Sequence, residues 1–171
     1  HCYVVAGVES MSRVKRRGFN WSPHPALESG VTEAYVSMGA TAENVARMYG
    51  ISREEQEAFA LTSHTKAAER ETQNPNIIGI DNGDGGIVDQ DGCIRPSTTL
   101  ESMARLPLAL DEGGTVTAAT SSPLTDGAVA MVVCSREFAP RLATESTTVI
   151  LGGCVVGVHP SVMGLGPISA G

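Results

Sequence analysis

The residue types that most often carry covalent or metal chemistry are sparse in this chain of 171 residues. The cysteines are Cys2, Cys93, Cys134 and Cys154, and the histidines are His1, His24, His64 and His159. No C-x-x-C pair occurs, and no histidine–cysteine group has zinc spacing. Cys154 and His159 are close in sequence, but the apolar run around the thiol and the following proline favour a buried thiol and a turn residue. The sequence predicts no metal site and buried, reduced thiols in a reducing compartment.

A run of small and hydroxylated residues from position 114 to 130 is the strongest candidate for a binding surface. It reads GTVTAATSSPLTDGAVA. The β-branched residues Thr115 to Thr117 predict a strand, and the small side chains after them let another body approach the backbone closely. Pro123 and an Asp-Gly pair predict turns, and the apolar run 128–134 predicts a buried strand or a buried helix segment. Two interpretations remain open: a ligand ledge or a tight, well-packed turn.

Capping patterns predict the helices that would position this run. Thr41 is a suitable N-cap for a helix ending near Tyr49, before Gly50. Ser52 and Glu55 form a capping box that opens a longer amphipathic helix. The same spacing at Thr98 and Glu101 predicts a short helix, and Ser135 is expected to cap a helix over 136–143.

Apolar and turn-forming runs predict the strands. Residues 1–8 indicate a buried strand, 76–80 a short strand and 147–158 a β-rich segment, whereas 13–37 indicate a surface excursion. The stretch 81–86 favours a plain hairpin loop over a calcium loop, because the closing Glu of an EF-hand is missing. Together the elements predict an α/β core interrupted by a helical, loop-rich insertion.

Composition excludes several function classes. The chain is 42% hydrophobic and 18% charged, with a net charge of −7, which is typical of a globular domain and argues against nucleic acid as a partner. The basic cluster 13–17 favours a solvated patch over a phosphate site. No apolar run is long enough to predict a membrane span. The absence of a starting Met and of a signal pattern, with an abrupt stop after a Gly-Pro turn, suggests a fragment of a longer polypeptide.

Four ordered stretches resemble the thiolase family, whose members make or cleave β-ketoacyl-CoA. They are AGVESMSR at 6–13, MGATAENVARMYGISREEQEAFALTSHTKAA at 38–68, GTVTAATSSPLTDGA at 114–128 and VMGLGPISA at 162–170. The resemblance implies a partial thiolase-like five-layered α/β fold with an inserted helical loop domain. Residues 1–12 would end the N-terminal half, 13–113 would form the loop domain, 114–148 would return to the first half, and 149–171 would start the second.

The resemblance implies CoA-dependent thiolytic cleavage of 3-ketoacyl-CoA or the reverse Claisen condensation, in fatty-acid or lipid metabolism. The family's catalytic C-S-S-G, G-H-P and C-x-G-G-G motifs do not occur in this sequence. The His159-Pro160 pair is preceded by Val158 where the G-H-P motif has Gly. No catalytic residue is therefore assigned, and these residues are expected outside this segment. Coenzyme A enters as a substrate, and no covalently bound cofactor is expected.

The resemblance also implies the residues that would contact CoA. Ser122 and Ala118 match positions along the pantetheine tunnel, and Arg95 and Ser102 match positions near the nucleotide. Met38 and Met163 match methionines beside the acyl pocket, where a thioether tolerates varied chains. Each residue has a structural alternative: a surface ion pair for the arginine, a turn for the serine, and core packing for the methionines.

Two departures from the family pattern leave the acyl chain length open. Thr120 stands where many members carry Asn, and Ser37 stands where several short-chain enzymes carry His. These departures are compatible with broader-chain or sterol-carrier-type thiolases. The alternative function is a non-catalytic, thiolase-like subunit that binds CoA or a partner. The family implies a homodimer or homotetramer in the cytoplasm, mitochondrion or peroxisome, and the sequence does not decide the reaction direction.

Overall fold

The chain folds into two units, each assembled from segments that are distant in sequence. The computed structural model describes residues 1–14, 18–71, 74–110, 113–142, 144 and 148–171. The first unit contains 1–32, 124–157 and 166–171, and the second contains 33–123 and 158–165. Residues 15–17 of the predicted basic patch lie outside the described residues. None of the helices in the described ranges combines the length and the apolar character that a membrane span needs.

The described residues contain both helices and strands. The α-helices are α1 (Pro25–Gly30), α2 (Met38–Tyr49), α3 (Arg53–Glu71), α4 (Leu100–Ala104) and α5 (Gly166–Ala170). The strands are β1 (Cys2–Glu9), β2 (Ile80–Asp81), β3 (Ile87–Val88) and β4 (Gly127–Cys134). Short 3-10 helices occupy Thr32–Tyr35, Ala118–Thr120, Ala139–Arg141 and Pro160–Leu165.

The first unit is organised around an antiparallel ribbon of β1 and β4. The register runs from Cys2 opposite Cys134 to Glu9 opposite Gly127. At the open end, the Asp126 carboxylate accepts hydrogen bonds from the Ser12 backbone N–H at 2.8 Å, the Ser12 hydroxyl at 2.5 Å and the Ser10 hydroxyl at 3.2 Å. This contact joins the loop after β1 to the turn before β4.

The prediction that these strands are buried is wrong within this chain. Every residue of β1 is exposed, and so is every residue of β4 except the half-buried Cys134. The physical reason is that a two-stranded ribbon cannot bury its own faces. Cys2 and Cys154 are likewise exposed rather than buried, and all four thiols are free.

The predicted helix over 136–143 and the predicted strand over 147–158 are also wrong. A turn and the 3-10 helix Ala139–Arg141 follow Ser135, with a proline inside the 3-10 segment. Residues 148–158 have no regular secondary structure, while residues 143 and 147 lie outside the described residues. β-branched composition alone does not make a strand when no neighbouring strand supplies ladder partners.

The second unit is organised around the corner between α2 and α3. Gly50 ends α2 with φ +64°, and the Ile51 N–H returns to the Ala46 carbonyl at 2.9 Å. The predicted Ser52–Glu55 capping box is confirmed: Ser52 N–H donates to the Glu55 carboxylate at 2.8 Å, and Glu55 N–H donates to the Ser52 hydroxyl at 3.2 Å. The two helices therefore leave the corner in fixed directions.

Other local predictions are displaced by a few residues. The N-cap of α2 is Ser37, and Thr41 instead lies buried inside the helix with its hydroxyl donating to the Met38 carbonyl. The capping box of α4 is formed by Thr99 and Ser102 instead of Thr98 and Glu101. Both shifts arise because neighbouring Ser and Thr residues compete for one capping position.

Strand predictions in the second unit are partly confirmed. Strands β2 and β3 form the predicted hairpin around 81–86, although the first strand starts at Ile80. The predicted strand over 115–117 is wrong, because only an isolated bridge joins Thr117 to Leu108. The core nearby contains Ala46, Met103, Val116 and Thr117.

Candidate functional site

A polar network fixes α2, α3 and the segment at 115–116 against one another. The Glu43 carboxylate on α2 accepts hydrogen bonds from the N–H groups of Thr115 and Val116, both at 2.7 Å. The Thr115 hydroxyl donates to the other Glu43 oxygen at 3.0 Å and accepts from the Gln56 side-chain amide on α3 at 2.8 Å. Both side chains that anchor the segment, from Glu43 and Gln56, are half-buried.

The Glu43 carboxyl is held in its charged form. Burial raises its pKa, but the N–H groups of Val116 and Thr115, the Thr115 hydroxyl and the Arg47 charge together lower it more. The net pKa lies below the ordinary value of a glutamic acid. An ionised carboxylate accepts these hydrogen bonds more strongly than a neutral acid, so the segment is firmly held at neutral pH.

Gln56 of this network lines a cavity of about 400 Å³ whose lining includes both predicted methionines. Met38 begins α2, and Met163 belongs to the 3-10 segment Pro160–Leu165. The Asn44 side-chain amide donates to the Ser161 carbonyl at 2.9 Å, which holds this segment on α2. We call it the methionine cavity; its lining is Met38, Thr41, Ala42, Val45, Ala46, Ile51, Gln56, Met163 and Gly164.

Gln56 also lines a larger groove of about 650 Å³ along α3. Part of the lining comes from the helix, with Phe59, Ala60 and His64, and the rest comes mainly from positions 93–94, 119–121 and 123. We call it the α3 groove; its lining is Ile51, Glu55, Gln56, Phe59, Ala60, Ser63, His64, Ala67, Cys93, Ile94, Ala119, Thr120, Ser121 and Pro123.

The structure places Ser122 at the solvent-exposed edge of the small-residue run. The neighbouring hydroxyls turn inward, since Thr120 donates to the Thr117 carbonyl at 3.3 Å and Ser121 donates to the same carbonyl at 2.8 Å. The Ser122 hydroxyl has no hydrogen-bond partner within the described ranges, and Ala118 is also exposed. Neither Ser122 nor Ala118 lines the α3 groove.

Arg95 and Ser102 are not brought into either cavity. The Arg95 backbone N–H donates to Nδ1 of His64 at 3.2 Å, and the residue is exposed. The Ser102 hydroxyl accepts from the Thr99 N–H at 3.0 Å and donates to the Thr99 carbonyl at 2.8 Å. Ser102 therefore has a local capping role in α4. Of the six predicted binding residues, only the two methionines share one cavity.

Sequence reasoning missed Glu43, Gln56 and His64. The first two lie on helices whose spacing indicates only a packing face, and their shared partner Thr115 is distant in sequence. His64 on α3 accepts a hydrogen bond on Nδ1 from the Arg95 backbone N–H, although the two residues are distant in sequence. A lone histidine in an amphipathic helix gave no signal for this arrangement.

The surroundings of Cys93 do not favour the thiolate that nucleophilic chemistry needs. Its partial burial raises the pKa of the thiol, the hydrogen bond and negative charge of Asp91 raise it further, and the Arg95 charge opposes them less strongly. A protonated thiol is a poor nucleophile. Within the described part of the chain, no three His, Cys, Asp or Glu side chains are grouped to hold a metal ion.

Comparison with known proteins gives concordant matches. The model of the thiolase N-terminal domain matches residues 1–137. The chain is 40% identical to a 3-ketoacyl-CoA thiolase of Marinomonas and 44% identical to one of Escherichia coli, in each case over 98% of this chain and 45% of the relative. It therefore spans a little under half the length of these curated relatives.

Solved structures give the same assignment. The acetyl-CoA acetyltransferase of Syntrophomonas wolfei is 34% identical, with a TM-score of 0.80 over 99% of this chain and 47% of that one. The dimeric peroxisomal thiolase of Saccharomyces cerevisiae is 31% identical, with a TM-score of 0.82 over 97% of this chain and 44% of that one. The predicted thiolase-like α/β fold is confirmed, and the chain belongs to the thiolase family.

Proposed function

We propose that this chain is part of an acyltransferase of lipid metabolism that cleaves 3-ketoacyl-CoA by thiolysis or forms it by the reverse Claisen condensation. The observation that carries the proposal is the methionine cavity, which joins Met38 and Met163 from segments remote in sequence. Flexible thioethers at the rim of an apolar cavity suit acyl chains of varied shape. The names of the relatives, 3-ketoacyl-CoA thiolases, support the same substrate class.

The chain would contribute binding and positioning rather than the covalent step. Residues 1–12 and 114–148 would belong to the N-terminal half, 13–113 to the loop domain and 149–171 to the start of the C-terminal half. The raised pKa of Cys93 supports assigning no nucleophile here. Coenzyme A is the proposed substrate, and human mitochondrial 3-ketoacyl-CoA thiolase is a structural relative solved in complex with CoA, 30% identical with a TM-score of 0.77.

The carrier arm of CoA would lie along the exposed small-residue run. Ser122 supports this because its hydroxyl is exposed and has no partner within the described ranges, so it can bind a pantetheine amide without breaking a protein contact. Ala118, also exposed, adds no side-chain bulk beside it. Arg95 and Ser102 would lie toward the nucleotide, where an exposed guanidinium suits a phosphate.

Assembly and compartment follow as coarser proposals. We expect a homodimer or homotetramer, in line with a relative described as dimeric. A reducing compartment is expected from the free cysteines, and the named relatives include peroxisomal and mitochondrial proteins.

Calorimetric titration of the chain with CoA tests the binding site. Ser122→Trp should weaken CoA binding at least about tenfold, since it replaces a small exposed side chain by a bulky one on the proposed path. Thr62→Leu is the matched control, because this exposed α3 residue lines neither cavity. The CoA affinity of this variant should equal that of the original chain. Equal affinities for all three proteins would show that the run is only a turn.

Thiolysis tests the reaction itself. The full-length protein should cleave acetoacetyl-CoA or a longer 3-ketoacyl-CoA in the presence of free CoA. CoA binding without turnover at any chain length would contradict the enzymatic proposal and favour the non-catalytic subunit.

A further inference from the structure

The two cavities of the second unit share a wall. Ile51 and Gln56 line both the methionine cavity and the α3 groove, and they are the only two residues common to the two linings within the described ranges. A ligand that enters the methionine cavity therefore meets these two side chains before it can reach the α3 groove.

The wall is rigid on the side of Gln56. Its amide donates to the Thr115 hydroxyl at 2.8 Å, and that hydroxyl donates to the Glu43 carboxylate, which two backbone N–H groups hold in place. Rotation of Gln56 away from the wall would break this chain of hydrogen bonds at a half-buried position.

The wall is also rigid on the side of Ile51. This residue follows the left-handed Gly50 and returns its N–H to Ala46, so its backbone position is set by the α2–α3 corner. The methionine rim differs, because Met38 and Met163 are long, unbranched and about half exposed. The two methionines can therefore adapt their shape more readily than the side formed by Ile51, which is 38% exposed, and the hydrogen-bonded Gln56.

Space continues beyond the wall. The α3 groove is larger than the methionine cavity, and Phe59, Ala60 and Ile94 make much of its lining apolar. The α3 groove could therefore hold additional methylene groups of an acyl chain, but the side chains of Ile51 and Gln56 separate it from the methionine cavity.

We propose that Ile51 and Gln56 end the acyl cavity and set the longest acyl chain that this protein accepts, an inference that rests on the proposed function. Chains short enough to stop at the wall gain affinity with each methylene group, by about fourfold per group buried. Longer acyl chains must bend back into solvent, so their additional methylene groups add no further affinity. The two residues are specificity determinants that act through shape.

The test is a series of saturated acyl-CoA thioesters of increasing chain length, titrated calorimetrically into the full-length protein and its variants. For the original protein, the affinity should rise with acyl chain length up to a certain length and stay constant beyond it. We call that length the break. Ile51→Ala removes three carbon atoms from the wall and should move the break to chains longer by about two to four carbons. Gln56→Ala should move it in the same direction, and Ile51→Phe should move it to shorter chains.

Two further variants make the test specific. Thr62→Leu changes an exposed α3 residue that lines neither cavity, so it should leave the break unchanged. In the double variant Ile51→Ala/Ala60→Phe, the new ring fills the groove behind the opened wall and should restore the original break. Circular dichroism and urea midpoints verify that each variant is folded.

The outcomes separate this inference from the function on which it rests. Binding of acyl-CoA with a break that no wall variant moves, or that Thr62→Leu moves equally, would overturn the role of the wall alone. A double variant that keeps the extended break would overturn the route into the α3 groove. No binding of CoA or any thioester by the full-length protein would refute the proposed function, and the wall with it.

Discussion

Replacement of Arg53 should destabilise the second unit more than any exposed charge change. Its guanidinium donates to the Glu57 carboxylate at 2.6 Å, and its Nη2 donates to the carbonyls of Met103, Ala104 and Leu106 at 3.0, 3.1 and 2.9 Å. One side chain thus pairs a buried carboxylate and adds hydrogen bonds to carbonyls at and just beyond the C-terminal end of α4, where the regular helical pattern stops.

The expected magnitude follows from burial. The Glu57 side chain is only 4% exposed and that of Arg53 is 23% exposed. Arg53→Met would leave the carboxylate buried without its cation, a loss that typically costs about 3–5 kcal/mol. The freed carbonyls can recover part of their hydrogen bonding from water, which places the expected loss near the lower end, at about 3 kcal/mol. Arg53→Lys keeps the charge but not the planar fork, so it should lose less.

Urea denaturation followed by circular dichroism measures the effect, because α2 and α3 dominate the helical signal. Arg105→Met is the matched control: Arg105 pairs with Glu101 at the same i,i+4 spacing, but these side chains are 75% and 78% exposed. Its cost should stay within about 0.5 kcal/mol. In Arg53→Met/Glu57→Leu, part of the loss should be recovered because no uncompensated charge remains. A similar cost for both arginine variants, or strictly additive single effects in the double variant, would refute the reasoning.

Two further predictions concern a buried hydroxyl and a carboxylate. Thr117 is fully buried, and its hydroxyl has no hydrogen-bond partner among the described residues. Thr117→Val should therefore raise the free energy of unfolding, measured by urea titration, by about 1 kcal/mol. Thr41→Val removes a hydroxyl that does have a partner, so it should lower the free energy of unfolding. Hydrogen bonds from the Ser12 hydroxyl and the Ser12 N–H lower the pKa of Asp126 by more than its desolvation raises it. The contact between Ser12 and Asp126 should therefore persist above about pH 5 and weaken as the pH falls below about 4. Faster amide hydrogen exchange in β1 at low pH would report this weakening. Asp126→Asn should abolish that pH dependence.

Local chemistry predicted the elements whose partners are close in sequence. The Ser52–Glu55 capping box and the Gly50 terminus need only neighbouring residues, and both are confirmed. The strand predicted at 147–158 failed because a strand needs a ladder partner from elsewhere, which apolar composition does not supply. The helix predicted after Ser135 failed because a turn and a short 3-10 segment replaced it.

The candidate site shows the same difference between residues that the sequence indicates and residues whose partners are distant in sequence. Family resemblance pointed to Met38 and Met163, and the structure brings them into one cavity. The resemblance gave no sign of the Glu43 carboxylate, which holds the 115–116 segment against α2. Glu43 organises this region because two backbone N–H groups and a hydroxyl from positions 115–116 converge on it. Nothing in the helical spacing of α2 distinguishes such a residue from a solvated glutamate. Motif residues mark where a ligand would bind, whereas the residues that give the cavity its shape and length become visible only when distant segments meet.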